Sequence, residues 1–130
     1  ISAPLLDIVV PIFFRPGIDP QSALYQDFRA KLAALPPQRL RESVVPMGRI
    51  TFARDDLLPR LGALNPQTTL VMCGDQDKPR PPSEAQEMAE LIGCASVLVP
   101  EAGHISSLEN PGFVTGALLK FLAERTCKTV

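Results

Sequence analysis

The chain contains one histidine, His104, and it lies just past the apolar run SVLV at 96–99, which Pro100 stops. One aspartate, Asp77, stands in the same place relative to an earlier run, TTLVMC at 68–73, which ends at Gly74. An imidazole whose one ring nitrogen is fixed by a carboxylate keeps the other nitrogen free as a base. These two residues are therefore the chemistry worth testing first. A lone histidine away from an acid is usually a surface or packing residue, so everything depends on whether the chain brings the two together. Asp75 occupies the same turn as Asp77 and competes for the acid's part. Other polar groups have plainer readings: Arg54-Asp55-Asp56 as ordinary acids at a helix start, and Glu109 as an acid favoured by the dipole at the amino end of the last helix. A bond from Glu109 to the His104 loop is the second reading of that residue. Cys73, within its strand, reads as a small buried side chain.

The elements that must position Asp77 and His104 are legible from residue 66 onward. The run at 68–73 is β-branched and apolar between Pro66 and Gly74, as expected of a strand buried on both faces. Ser83 with Gln86 forms a capping-box pattern, and the helix it opens carries Ala85, Met88, Ala89 and Ile92 on one face before Gly93 ends it. SVLV is the second strand. Asn110-Pro111 opens the last helix, with Val114, Ala117, Leu118, Phe121 and Leu122 as its inward face. A strand, a crossover helix and a second strand predict a parallel pair, whose carboxyl ends lie on one side of the sheet. Ligands of open α/β sheets bind at that side. Loops leaving neighbouring strands ~4.8 Å apart can bring Asp77 and His104 into contact.

Residues 1–65 read as short helices. The chain carries 14 prolines in 130 residues, about twice the usual share, and most punctuate these elements. Asp19-Pro20 predicts a helix start, followed by Leu24, Phe28, Leu32 and Leu35 at helical spacing until Pro36-Pro37. Leu40, Val44 and Val45 predict a second helix stopped by Pro46, and Asp55 to Leu61 a third, stopped by Gly62. The first fifteen residues are a continuous apolar run without periodicity, so their state stays open.

The bulk numbers bound the class. With 45% hydrophobic and 21% charged residues the chain is globular rather than disordered. A formal charge of −1 without blocks of either sign argues against a nucleic-acid partner. The apolar start carries Asp7 and two prolines, has no basic leader and no initiating Met, and is too short to span a bilayer, so no membrane association is expected. Three cysteines, Cys73, Cys94 and Cys127, lack C-x-x-C spacing, and one histidine is a poor start for zinc. Neither a disulfide framework nor a metal is expected, and a reducing, cytoplasmic setting fits best.

Taken together, TTLVMCGDQDKPRPP, the helix after it, SVLVPEAGH and ENPGFVTGALLKFL resemble the C-terminal third of α/β-hydrolase-fold enzymes. The likeness is greatest to the branch of 3-oxoadipate enol-lactonase and the cofactor-free esterases and perhydrolases. The resemblance runs in order and spacing over residues 66–124. In that family a Gly-x-x-Asp turn, here Gly74 to Asp77, carries the triad acid. A Gly-His after a strand, here Gly103-His104, carries the base, and a Glu-x-Pro, here Glu109-Asn110-Pro111, opens the last helix. The register selects Asp77 over Asp75. Residues 1–65 resemble the family's helical cap, with ITFARDDLLPRL leading back to the core. The fold this implies is α/β: the C-terminal part of an α/β-hydrolase, two parallel strands with flanking helices at 66–130, preceded by a helical cap segment at 1–65. Phe13, Phe14, Tyr25, Phe28, Met47 and Phe52 then become candidates to line an apolar substrate pocket under the cap.

The nucleophile elbow of the family, G-x-S-x-G, surrounds none of Ser2, Ser22, Ser43, Ser83, Ser96, Ser106 or Ser107, and no oxyanion-hole segment is recognisable. The chain thus holds two of three triad members. The resemblance implies a small apolar ester, lactone or related acyl substrate and no cofactor. It also implies an N-terminal half of the same hydrolase that bears the serine, or another copy engaged by swapping, without which the chain is inactive. The interior strand at 68–73 supports that expectation, because alone it would present an unpaired edge. Other chemistries of the same geometry are dehalogenation with an Asp nucleophile, peracid formation and C–C bond hydrolysis. A hydrolase-fold receptor or scaffold without turnover is the non-enzymatic alternative.

Overall fold

The computed structural model describes residues 1–126, and Cys127 lies outside the described residues. Helix α1 spans Ala3–Phe13. It buries Leu6 and Val10, four residues apart, and Phe14 continues the stripe just past its end. Its opposite face is apolar too, with Leu5, Ile8 and Ile12 exposed. That all-round apolarity explains why the sequence shows no period there. Pro11, inside the helix, lacks an N–H for the i−4 carbonyl, and the helix ends two residues later.

Helix α2 spans Ala23–Ala33, and its cap differs from expectation. Ser22, not Asp19, is the N-cap, its hydroxyl accepting from the Tyr25 N–H. Asp19 instead makes the preceding turn, accepting from Gln21 N–H at 2.9 Å. Helices α1 and α2 pack on each other through Leu6, Val10, Phe14 and Tyr25, with Phe13, Leu24, Phe28 and Leu32 around them. Burying each such side chain is worth about 1.5–3 kcal/mol.

Residues 37–53 form a continuous helical rod of α3 (Pro37–Arg39), a π-helical turn (Leu40–Val44) and α4 (Val45–Ala53). Pro46 therefore does not stop a helix, as its position in the sequence suggests. It removes a donor from the rod, and the turn just before it widens to the π form, with Val45 N–H reaching back to Leu40 O. The third expected helix is shorter than read. It is a 3₁₀ segment, Leu58–Ala63, with Gly62 inside it, and a second 3₁₀ turn follows at Pro66–Thr68. Asp56 accepts from Leu58 N–H at 3.0 Å, so one acid of the pair does hold a helix start.

Strands β1 (Val71–Gly74) and β2 (Ser96–Val99) form a two-stranded parallel sheet, Val71 opposite Ser96 and Gly74 opposite Val99. The crossover helix α5 (Pro82–Ile92) ends on Gly93 in the left-handed conformation at φ 78°, the geometry glycine adopts without cost. Its start departs from the capping box: Pro81 is the N-cap and Ser83 lies within the first turn without a capping bond. Ala85, Ala89 and Ile92 are buried while Met88 is partly exposed.

A short helix α6 (Ser106–Glu109) leads into α7 (Pro111–Thr126), where Asn110 Oδ1 accepts from Phe113 N–H at 3.2 Å. Val114 of α7 joins Val99, Ala102 and Met72 in a core on one face of the sheet. Ala117 and Phe121 are half-buried, whereas Leu118 and Leu122 of the expected inward face are exposed. Among the described residues no helix is long and apolar enough to cross a membrane.

Candidate active site

Both strands end in turns on the same side, and backbone bonds knit the turns together. Asp75 N–H donates to Val99 O at 3.0 Å, Gln76 N–H to Ala102 O at 2.9 Å, and Ala102 N–H to the Asp75 carboxylate at 3.2 Å. Asp75 is thus occupied in holding the β2 turn beside β1. Asp77, two residues on and buried, turns inward. Its own N–H donates to Gly74 O at 3.2 Å, closing the Gly74 to Asp77 turn.

His104 Nδ1 lies 2.9 Å from Asp77 Oδ2. The other carboxylate oxygen, Oδ1, accepts from Arg80 N–H at 3.0 Å, so a rigid backbone donor fixes the plane of the acid. The Asp77 side chain is 6% exposed and the imidazole 36%. A buried acid holding one nitrogen of a half-open imidazole leaves Nε2 with no partner among the described residues. With Nδ1 as donor to the carboxylate, Nε2 is the acceptor. Phe13 of α1 packs beside the imidazole, ring centroids 6.0 Å apart.

Two glycines allow the layers to meet. A Cβ on Gly74 would overlap the carbonyl oxygens of Gly103 and Ala102, and a Cβ on Gly103 would come within 2.5 Å of Arg15 N and Phe14 C. Backbone therefore stacks directly on backbone, from the end of β1 through the histidine loop to the end of α1. The loop is completed by Glu101, a non-glycine residue held at φ 55°, where a Cβ is crowded.

Cys73 is buried just before the Gly74 turn, its Sγ 3.4 Å from Arg80 O and 3.9 Å from Asp77 Oδ2. Burial first, and then the neighbouring Asp77 charge, push its thiol above the ordinary value of 9.0. It is a packing residue held neutral. Among the described residues no group of three His, Cys, Asp or Glu is placed to hold a metal.

Asp77 and His104 open onto a cleft of about 970 Å³ between β1, α5 and the segment returning from residues 51–61. The apolar residues proposed for a pocket divide sharply. Phe14 and Tyr25 are buried core of the α1–α2 pair, with ring centroids 5.2 Å apart, and do not line the cleft. Phe28 is half-buried in the same cluster against Phe13 and Phe14. Met47 is 65% exposed on the rod and lies off the cleft. Phe52, 91% exposed, does border the cleft with His104, Asp77, Leu57 and Leu58. Sequence reasoning missed Leu57, Leu58 and Met88 as lining residues, since each reads simply as a helix-face hydrophobe.

The side chain of Glu109 is 2% exposed and accepts from Gly103 N–H at 2.7 Å and from Arg15 N–H at 3.0 Å. The helix it precedes is capped by Asn110 instead. The bond to the histidine loop, the second reading of this residue, is the one the structure shows.

No family model and no curated protein matches this chain. A solved structure does: a thermophilic esterase from Thermogutta terrifontis, with malate bound, at 26% identity and a TM-score of 0.78. The likeness covers 94% of this chain and 44% of the esterase, so the chain spans less than half the length of the protein it matches. Its fold is α/β, two parallel strands within a helix-rich chain, and it matches the C-terminal part of an esterase.

Proposed function

We propose that these residues are the acid and base half of a serine hydrolase acting on a small, largely apolar ester, lactone or related acyl compound. The observation that carries this reading is the contact of His104 Nδ1 with the buried Asp77 carboxylate at 2.9 Å, at the mouth of a cleft. The likeness to an esterase supports it. The branch it fits best is that of the enol-lactonases and cofactor-free esterases, with residues 1–65 as the cap over the site.

In this reading a segment outside these residues supplies a serine. His104 Nε2 takes the serine hydroxyl proton as the oxygen attacks the acyl carbon, and returns it to the leaving alkoxide. Asp77 holds the imidazole in the tautomer that can accept, and stabilises the imidazolium once formed. Phe52, Leu57 and Leu58 contribute apolar wall for the acyl or alcohol portion. Without the serine the 130 residues do not turn over substrate.

The test uses the complete protein. A serine-reactive fluorophosphonate should label it at one serine, with hydrolysis of short-chain esters abolished in step. Replacing His104 with Ala should lower turnover by at least ~10³-fold. Near-normal hydrolysis by that variant removes the base assignment, and absence of labelling with retained small-molecule binding makes the fold a receptor.

A further inference from the structure

Glu109 takes no part in the acid–base pair, yet it is more deeply buried than either member of it. A buried carboxylate is costly unless its oxygens are satisfied. Here the donors are the backbone N–H groups of Gly103, at 2.7 Å, and Arg15, at 3.0 and 3.2 Å to the two oxygens, with Arg15 Nε 3.8 Å away. On the other side of the histidine, Ile105 N–H donates to Phe13 O at 3.0 Å. Both neighbours of His104 are therefore tied, one through Glu109 and one directly, to the segment that ends α1.

The tie answers a weakness in the loop. Residue 103 has to be glycine, because Phe14 and Arg15 approach where a Cβ would stand. Glycine has the widest backbone freedom of any residue. The base is thus attached directly after the joint that its own side chain restricts least, so its position depends on the packing and bonds around that joint, and a general base tolerates little displacement. An ionised acceptor makes a shorter and stronger bond to a backbone N–H than a neutral one.

We propose that Glu109 is a positioning residue of the reaction: by holding Gly103 N–H against the end of α1, it fixes the backbone that carries His104 and keeps Nε2 directed into the cleft. The inference rests on the acid–base reading above and adds a residue that acts through the histidine without touching substrate.

The experiment compares Glu109→Gln, Glu109→Asp and His104→Ala in the complete protein. Gln keeps the size but turns an NH₂ towards one of the two donors. Asp keeps the charge and falls a methylene short. Turnover of the wild type and the Glu109 variants is expressed per active site titrated to completion with fluorophosphonate, and that of His104→Ala per mole of protein shown folded by circular dichroism, so loss of folded protein does not enter, and Asp is read by the same criteria where Gln does not fold. Expected is a kcat at least ~10-fold lower with KM within about twofold, since misplacing a catalytic group by about 1 Å can cost 10²-fold, together with a displaced histidine limb in the pH profile. Unchanged kcat per site and pH profile in either variant, with His104→Ala inactive, overturns the positioning role and leaves the base in place. Full activity of His104→Ala overturns both.

Discussion

The Asp77 carboxylate reaches His104 across 27 residues of chain and meets it at 2.9 Å because two parallel strands end in turns that share backbone bonds. The pair is built by the sheet rather than by local sequence.

Asp77→Asn tests what the carboxylate does. Arg80 N–H requires an acceptor at one position of residue 77, so an asparagine that satisfies it turns its NH₂ towards His104 Nδ1. The imidazole then accepts at Nδ1 and carries its proton on Nε2, the wrong tautomer for a base. In the complete protein kcat should fall by ~10⁴-fold with little change in melting temperature. A fall of less than about tenfold would mean that the tautomer is set elsewhere.

Gly74→Ala should act on stability rather than chemistry. The new methyl would overlap the carbonyl oxygens of Ala102 and Gly103, which belong to backbone and cannot rotate away. A loss of about 3 kcal/mol or more is expected, at the upper end of overpacking costs, read by urea denaturation of the complete protein. A loss below about 0.5 kcal/mol, the size of an ordinary surface change, would show that the turns separate easily.

Cys73 makes a prediction about pH. Burial and Asp77 raise its pKa in the folded state above 9.0, so above that pH the unfolded chain gives up the thiol proton before the folded one does. The unfolded state then binds fewer protons, and stability falls as pH rises from about 9 to the folded pKa. Cys73→Ala should flatten that decline. In native protein near pH 8 iodoacetamide should also leave Cys73 unmodified while it labels the half-buried Cys94, and peptide mass spectrometry reads both.

The edge of β1 makes the fourth prediction. Val71 and Asp75 N–H donate towards β2, so by alternation the main-chain groups of Met72 and the N–H of Gly74 face the opposite edge, Gly74 O being taken by Asp77 N–H. If a serine-bearing half pairs there, the 130 residues alone should self-associate or unfold without cooperativity, and recover on mixing with that half. Cooperative unfolding of a monomer, seen by sedimentation and urea titration, would reject the pairing.

The α/β part was legible because its signals are local and redundant. The apolar runs at 68–73 and 96–99, Gly93 and Asn110-Pro111 each mark an element, and β2 appears where SVLV places it, whereas β1 is shorter than the run at 68–73 and starts at Val71, because Thr68 belongs to the preceding 3₁₀ turn. The helical part was less so. α1 is rich in Ile and Val and apolar on all sides, so neither period nor propensity marks it as a helix. Pro46 reads as a stop because the sequence does not reveal that a π turn will absorb it. Within the site, the Asp77–His104 contact follows from topology. The bonds of Glu109 were only half legible for a different reason: its partners are backbone groups, one of them Arg15, 94 residues away, and backbone donors leave no mark in a sequence.

That separation of Arg15 and Glu109 has a kinetic meaning. Closing a 94-residue loop costs about 1 kcal/mol more in chain entropy than closing the 27 residues between Asp77 and His104. Contacts between α1 and α2, or between β1 and β2 across one helix, need much shorter closures and can form beforehand. The bond from Arg15 to Glu109 is therefore expected to close the structure after its parts exist, whereas the bond from Gly103, six residues away, is local. Substitutions there should leave the folding rate nearly unchanged and speed unfolding, the behaviour of a latch engaged after the rate-limiting step.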